Sequence, residues 1–111
     1  MERELIIIIA FLFTGLLEIV ISIPLIFEKI PPNYFYGFRV RKTLSNKEIW
    51  YKVNKYLGKD FLAAGIILTL GALLLLIFRI EIFTALITGL VLVLFPLSIV
   101  VLRGFSYLYK L

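Results

Sequence analysis

Apolar residues form three long runs along the chain, separated by one long polar segment and one very short break. The runs cover about residues 5–27, 57–78 and 82–102, and the break between the last two is essentially Arg79–Glu81. A helix that crosses a bilayer needs about 20 mostly apolar residues at about 1.5 Å per residue. The pattern therefore predicts an all-α membrane protein with three transmembrane helices in one domain, the last two forming a tight antiparallel hairpin.

The composition is too apolar for a soluble protein of this length. Hydrophobic residues make up 62% of the 111 residues, and the mean hydropathy is +1.07. A soluble domain of this size could not bury that much apolar surface, whereas a bilayer is itself an apolar solvent. The chain contains no Cys and no His, which excludes thiolate nucleophiles, imidazole bases and the usual zinc sites. We therefore expect no metal site, no cofactor and no enzymatic activity.

Lys and Arg are concentrated on one side of the predicted bundle. Arg3 and Arg79 lie on one side, and the other ten lie in the loop after the first span or in the C-terminal tail: Lys29, Arg39, Arg41, Lys42, Lys47, Lys52, Lys55, Lys59, Arg103 and Lys110. The positive-inside rule predicts a cell-membrane protein with an external N-terminus, and with the C-terminus and loop 28–56 in the cytoplasm. We expect this loop to meet anionic lipid headgroups rather than nucleic acid.

The loop contains turn residues and aromatic residues where a simple spacer would be polar. Pro31 and Pro32 stop the first helix. Four aromatics follow within five positions: Tyr34, Phe35, Tyr36 and Phe38. Aromatic rings are enriched at membrane interfaces. We expect these rings to lie in the headgroup layer or to pack on the ends of the helices.

A capped interfacial helix is predicted in the second half of the loop. Ser45 with Glu48 three residues later is the pattern of a capping box, so the helix should start at Asn46. Nothing stops it before the second span, which leaves either one long helix or a bend near Gly58.

Trp50, Asn54 and Gly58 share one face of this helix, because they are spaced four residues apart. They form either a packing face with a specific polar contact, or an interfacial Trp anchor beside a solvated Asn.

The ordered set of residues in the loop resembles a known family signature. The run Pro32–Arg39, the Thr43-Leu44-Ser45 cap, Trp50, Asn54 and Gly58 are similar to the signature of the SdpI immunity-protein family. The resemblance implies a multispanning membrane protein of bacteria or archaea. Its best-known member protects a cell from its own secreted toxic peptide and also acts as a signalling receptor. The candidate binding residues implied here are Asn33, Gly37, Arg39, Thr43, Trp50, Asn54 and Gly58, with Ser45 in the cap.

Glu18 is the one acidic residue well inside a predicted span. It lies about 13 Å along the helix from Phe27, near the bilayer midplane, and shares a polar stripe with Thr14 and Ser22. Intramembrane carboxylates are costly and usually face the interior of a bundle. Three interpretations compete: a protonated, hydrogen-bonded clasp between helices, an ion pair with Arg39 from the loop, or part of a proton, ion or ligand path.

Two functions remain open on the sequence alone. The first is a non-enzymatic immunity or signalling protein that binds a membrane-active toxic peptide or a cytoplasmic regulator. The alternative is a transporter or channel subunit that uses Glu18. This alternative needs a homo-oligomer, because three helices are too few to enclose a path.

Overall fold

The computed structural model describes residues 2–111, and none of these residues lies in a strand. The described residues form four helices: α1 (Glu2–Ile26), α2 (Arg41–Leu44), α3 (Lys47–Ile77) and α4 (Ile82–Tyr109). Helices α1, α3 and α4 are long and apolar enough to cross a membrane. The predicted all-α fold with three potential transmembrane helices is therefore confirmed.

Helices α1 and α3 are antiparallel and approach closely at a pair of glycines. A Cβ atom built on Gly15 would lie 2.9 Å from the backbone N of Thr69, and one built on Gly65 would lie 3.0 Å from the carbonyl O of Gly15. Helices in a bilayer have no hydrophobic drive to associate, so close backbone packing supplies much of their attraction. The two glycines therefore hold the central contact of the bundle.

Helix α4 completes the bundle by packing against both neighbours. At one end its Ala85 lies in a buried cluster with Ile8 and Leu75. At the other end Gly104 contacts the side chain of Leu57. The outward faces of all three long helices carry large exposed apolar side chains, for example Ile6, Ile77 and Leu102. Lipid is the solvent that suits these outward faces.

Helix α3 is longer than a bilayer requires. Its 31 residues extend about 46 Å, against about 30 Å for the hydrocarbon core. A Cβ atom on Gly58 would lie 3.0 Å from Ile26 in the last turn of α1, so the three turns of α3 before Gly58 project beyond α1. The helix continues through Gly58, so the long-helix alternative is the one that forms. We call this end of the bundle the loop end, and the opposite end the hairpin end.

The predicted N-cap of α3 was wrong, and the helix starts one residue later than predicted. Asn46, not Ser45, is the N-cap: its side chain accepts a hydrogen bond from the Ile49 backbone N at 3.1 Å, and the helix begins at Lys47. Ser45 instead ends the short helix α2, and its backbone N–H donates to the Arg41 carbonyl. Because Ser45 is already the C-cap of α2, the next residue with a suitable side chain, Asn46, is the N-cap of α3.

The hairpin end closes with a tight turn. Arg79 has φ +49°, and the Glu81 carboxylate caps α4 by accepting hydrogen bonds from the backbone N atoms of Phe83 and Thr84. The Thr84 hydroxyl also donates to this carboxylate, and these bonds, led by that hydroxyl, lower the pKa of Glu81. The short break predicted at Arg79–Glu81 is thus the turn of a helical hairpin, and Glu81 caps its second helix.

We predict that Gly15→Ala destabilises the bundle by about 1–3 kcal/mol, the usual range for overpacking. The new methyl would meet the Thr69 hydroxyl and, at 2.9 Å, the Thr69 backbone N, and the backbone cannot move away. Gly71→Ala is the matched control, because its methyl meets the mobile Cδ1 of Leu92 and nothing else closer than 3.5 Å. Thermal unfolding in mild detergent measures both, and equal stability of the two variants would contradict the glycine contact.

Candidate functional site

Trp50 anchors the loop to the projecting part of α3. Its side chain is fully buried, and its Nε1–H donates to the Ile30 carbonyl at 2.8 Å. Asn54 and Gly58 are buried on the same face, whereas Lys52, Lys55 and Lys59 are exposed. The packing-face interpretation of this stripe is therefore confirmed, and the interpretation of Trp50 as a lipid-facing anchor is not.

Asn54 joins the middle of the loop to α3. Its Oδ1 accepts a hydrogen bond from the Phe38 backbone N at 2.6 Å, and its Nδ2 donates to the Trp50 carbonyl at 3.0 Å. The residue is 2% exposed, so both halves of the amide are satisfied inside the protein. Gly37 makes this approach possible, since it has φ +112° and a Cβ there would lie 2.8 Å from Asn54 Oδ1.

Asn33 organises the aromatic part of the loop. Its Oδ1 accepts from the backbone N atoms of Phe35 and Tyr36, and its Nδ2 donates to the carbonyls of Pro31 and Tyr36. The Tyr36 hydroxyl donates to the Ile21 carbonyl of α1, and burial raises the pKa of Tyr36. The loop is thus folded back against the last turns of α1.

Two of the four loop aromatics pack on the ends of the helices, as one of the two expectations has it, and the other two are exposed. Tyr36 and Phe38 are half-buried on the ends of the helices, and Phe38 packs edge-on against Phe105 of α4 with ring centroids 4.9 Å apart. Tyr34 and Phe35 are 75% and 93% exposed. These two rings are therefore free to meet lipid headgroups or a partner.

Thr43 and Lys42 fix the last part of the loop. The fully buried Thr43 hydroxyl accepts from the Val40 backbone N at 3.0 Å and donates toward the Phe38 carbonyl at 2.9 Å. Lys42 Nζ donates to the Leu108 carbonyl in the last turn of α4 at 3.0 Å. A cation suits this position, because the final carbonyls of a helix lack partners and carry partial negative charge.

Arg39 differs from the other residues of the signature. Its side chain is exposed and forms no hydrogen bond or ion pair with any other residue in 2–111. The other six have structural roles: Asn33, Thr43, Trp50 and Asn54 form hydrogen bonds that hold the loop, Gly37 allows the approach to Asn54, and Gly58 lets α3 pack on the end of α1. Ser45 is exposed, with one long contact of 3.4 Å from its hydroxyl to the Lys42 carbonyl. These hydrogen bonds fix the loop, residues 30–43, against the ends of the helices. We call this fixed loop with its contacts the platform, and it carries Arg39 at its surface.

Glu18 is buried between α1 and α3, away from this platform. It is 5% exposed, a Cβ on Gly65 would lie 3.0 Å from the Glu18 Cβ, and its Oε2 has no hydrogen-bond partner within residues 2–111. The predicted stripe does not form a network, because the hydroxyls of Thr14 and Ser22 donate to carbonyls of their own helix.

The ion pair between Glu18 and Arg39, one of the three interpretations of Glu18, is not formed. Glu18 lies eight residues, or about 12 Å, below the end of α1. The backbone beside Arg39 is held at the loop end by the bond from Phe38 to Asn54, so the guanidinium stays at the surface. The hydrogen-bonded clasp is not formed by Oε2 either.

Sequence reasoning missed two contacts that shape the site. The Tyr36 hydroxyl and the Lys42 ammonium both donate to helix carbonyls far away in the chain, at Ile21 and Leu108. The cluster of aromatics signalled packing but did not show which ring reaches α1. No group of three or more potential metal-ligating residues occurs in the described part of the chain.

We predict that Asn54→Leu, which keeps the volume but removes the amide, costs about 1–3 kcal/mol and releases the loop. The Phe38 amide then loses its acceptor, so its hydrogen exchange should become much faster. Lys55→Leu is the control, since it changes an exposed neighbour on the same helix. Hydrogen exchange read by mass spectrometry or NMR checks this, and unchanged Phe38 protection in Asn54→Leu would contradict the platform.

The comparisons with known proteins are consistent with this geometry. The sequence model of the SdpI/YfhL protein family matches residues 29–102, which run from the start of the loop to the last turns of α4. No curated protein and no solved structure gives a significant match to the chain. All the residues that build the platform, except Ile21 and those at the end of α4, lie inside the matched region.

Proposed function

This chain belongs to the SdpI/YfhL protein family, and on that premise we propose that it is a non-enzymatic immunity or signalling protein of the cell membrane. It binds a membrane-active toxic peptide or a cytoplasmic regulator through the loop end. The observation that carries the proposal is that Arg39 is exposed and unpaired within residues 2–111 on a loop whose other signature residues are fixed.

A fixed backbone favours recognition by a single Arg. A guanidinium has five N–H donors in a planar fork, which suits bidentate binding of a carboxylate or phosphate. Binding through a loop that is already ordered avoids the entropic cost of ordering it. The exposed rings of Tyr34 and Phe35 lie five and four residues before Arg39 and offer apolar contacts beside it. An acidic group on an apolar peptide therefore matches the chemistry of this surface.

The charge distribution supports a cytoplasmic loop end. Ten of the twelve Lys and Arg residues lie at the loop end: in the loop, in residues 47–59 of α3, or in residues 103–110 at the end of α4 and just after it. The positive-inside rule assigns such an end to the cytoplasm and the N-terminus to the outside. In this orientation Arg39 faces the compartment in which a regulator would be found.

The hydroxyl groups near the platform favour binding over catalysis. The Thr43 hydroxyl is buried and engaged by the backbone, and the sequence contains no His or Cys to activate a nucleophile or act as one. Ser45 is exposed without a neighbouring base in residues 2–111. The non-enzymatic part of the proposal is based on these two features.

We predict that Arg39→Gln abolishes protection, whereas Arg41→Gln retains it. Both changes remove one positive charge from the same loop, and both residues are exposed, so a general charge effect would weaken the two equally. Sensitive cells expressing each variant are challenged with the secreted toxic peptide against which the best-known family member protects, and survivors are counted. Membrane levels of each variant are measured by immunoblot to confirm normal folding.

The outcomes of this assay are distinct. Loss of at least tenfold in survival for Arg39→Gln alone supports the proposed site. Equal survival of both variants at normal membrane levels would overturn the role of Arg39. Failure of the wild-type protein to protect would overturn immunity toward this peptide.

A second candidate function is proton or ion passage that uses Glu18. The observation that favours it is a buried carboxyl oxygen with no partner in residues 2–111, because intramembrane ionisable residues commonly mark such paths. The carboxyl is buried against Gly65 within one copy of the chain, and three helices are too few to enclose a path, so this function requires a homo-oligomer.

For this second function we predict that proteoliposomes show a flux of protons or monovalent cations that Glu18→Gln removes. Ser22→Ala is the control, since Ser22 is buried one turn away and its hydroxyl bonds its own helix. A pH-sensitive dye inside the vesicles reports the proton flux. Equal flux from wild type, Glu18→Gln and empty vesicles would remove this function.

A further inference from the structure

An apolar groove follows the seam between α3 and α4 on the outside of the bundle. Its volume is about 400 Å³, and its walls include Ala63 and Ile67 of α3 and Val91 and Pro96 of α4. It starts beside Asp60 and Arg103 at the loop end. Between Arg103 and Val91 it spans twelve residues of α4, which is about 18 Å along the helix axis.

The guanidinium of Arg103 lies at the loop end of this groove. Arg103 Nε donates to Asp60 Oδ2 at 2.6 Å, and the guanidinium carbon lies 5.4 Å from the centre of the Tyr56 ring. The bond to Asp60 uses one of the five N–H donors of the guanidinium. The Arg103 side chain remains 53% exposed, so its other N–H groups are accessible from outside the groove.

We infer that this groove binds one acyl chain of a phospholipid with an anionic headgroup, taken from the leaflet at the loop end. Its length of about 18 Å is close to half of the hydrocarbon core, about 15 Å, so the groove is one leaflet deep. The guanidinium of Arg103 then lies where the phosphate of that lipid is found. The exposed Lys59, next to Asp60, adds a second cation near the headgroup.

The dimensions favour an acyl chain over a peptide helix. A helix with its side chains is about 10 Å across, whereas an acyl chain is a single file of methylene groups and is the narrower fit for a seam between two packed helices. A helix would have to lie on the surface of the groove, and the cation at its end would have no defined partner. An acyl chain enters the groove and leaves its headgroup at Arg103.

The test uses purified, delipidated protein in a mild nonionic detergent. Dioleoylphosphatidylglycerol should raise the midpoint of thermal unfolding by roughly 5 °C or more, and dioleoylphosphatidylcholine by clearly less. Native mass spectrometry should show one retained phosphatidylglycerol per chain. Arg103→Gln should remove the difference between the two lipids. Asp60→Asn should preserve it, because that change frees Arg103 Nε rather than removing the cation.

Ala63→Trp fills the groove and should abolish the retained lipid. Ala10→Trp is the matched control, because Ala10 is an exposed alanine on α1 outside the groove. Lipid retention by Ala63→Trp equal to that of the control would overturn the groove as the site. Equal stabilisation by the two lipids would overturn the headgroup contact. If Ala63→Trp does not fold, the comparison of Arg103→Gln with wild type tests the proposal by itself. Equal stabilisation of the wild type by the two lipids would then overturn it.

Discussion

The hydrogen bonds of Asn54 hold the loop to α3, and the shape of the whole loop end depends on them. One amide links the backbone of Phe38 to the helix, one turn after the fully buried Trp50. Such a buried amide is stabilising only when both of its halves are paired, and here they are. Helix α3 can present it because the contact between Gly15 and Gly65 fixes this long helix against α1.

The cations of the loop end are used in different ways. Lys42 donates to the Leu108 carbonyl at the end of α4, Lys52 pairs with Glu48 at 3.0 Å, and Arg103 pairs with Asp60. Exposed pairs of this kind contribute little to stability and mainly place the charges. Arg39 has no such partner in the described residues. The net charge of +5 therefore combines charges that pair within the fold with exposed charges, Arg39 among them, that are available to a ligand.

Helix-level features could be read from the sequence because each has a simple period. Three apolar runs of bilayer length gave the three helices, and the spacing of four residues from Trp50 to Gly58 gave the buried face. The cap of α3 could not be assigned, because Ser45 and Asn46 are both good capping residues and the choice depends on α2. The pairing of Glu18 with Arg39 does not form, because the sequence alone does not show how far a loop residue lies from the bilayer midplane. Tyr36 and Lys42 reach partners 15 and 66 residues away in the chain, which no local pattern encodes.

The central claim is that the loop is one fixed structure that presents Arg39. The chain has no Cys, so nitroxide labels can be placed at residues 39 and 79 alone, which are exposed at the loop end and the hairpin end of the structure. Pulsed electron paramagnetic resonance in lipid vesicles then measures the distance between the labels. The account predicts a single narrow distribution of distances. A broad distribution, as from a flexible linker, would contradict it.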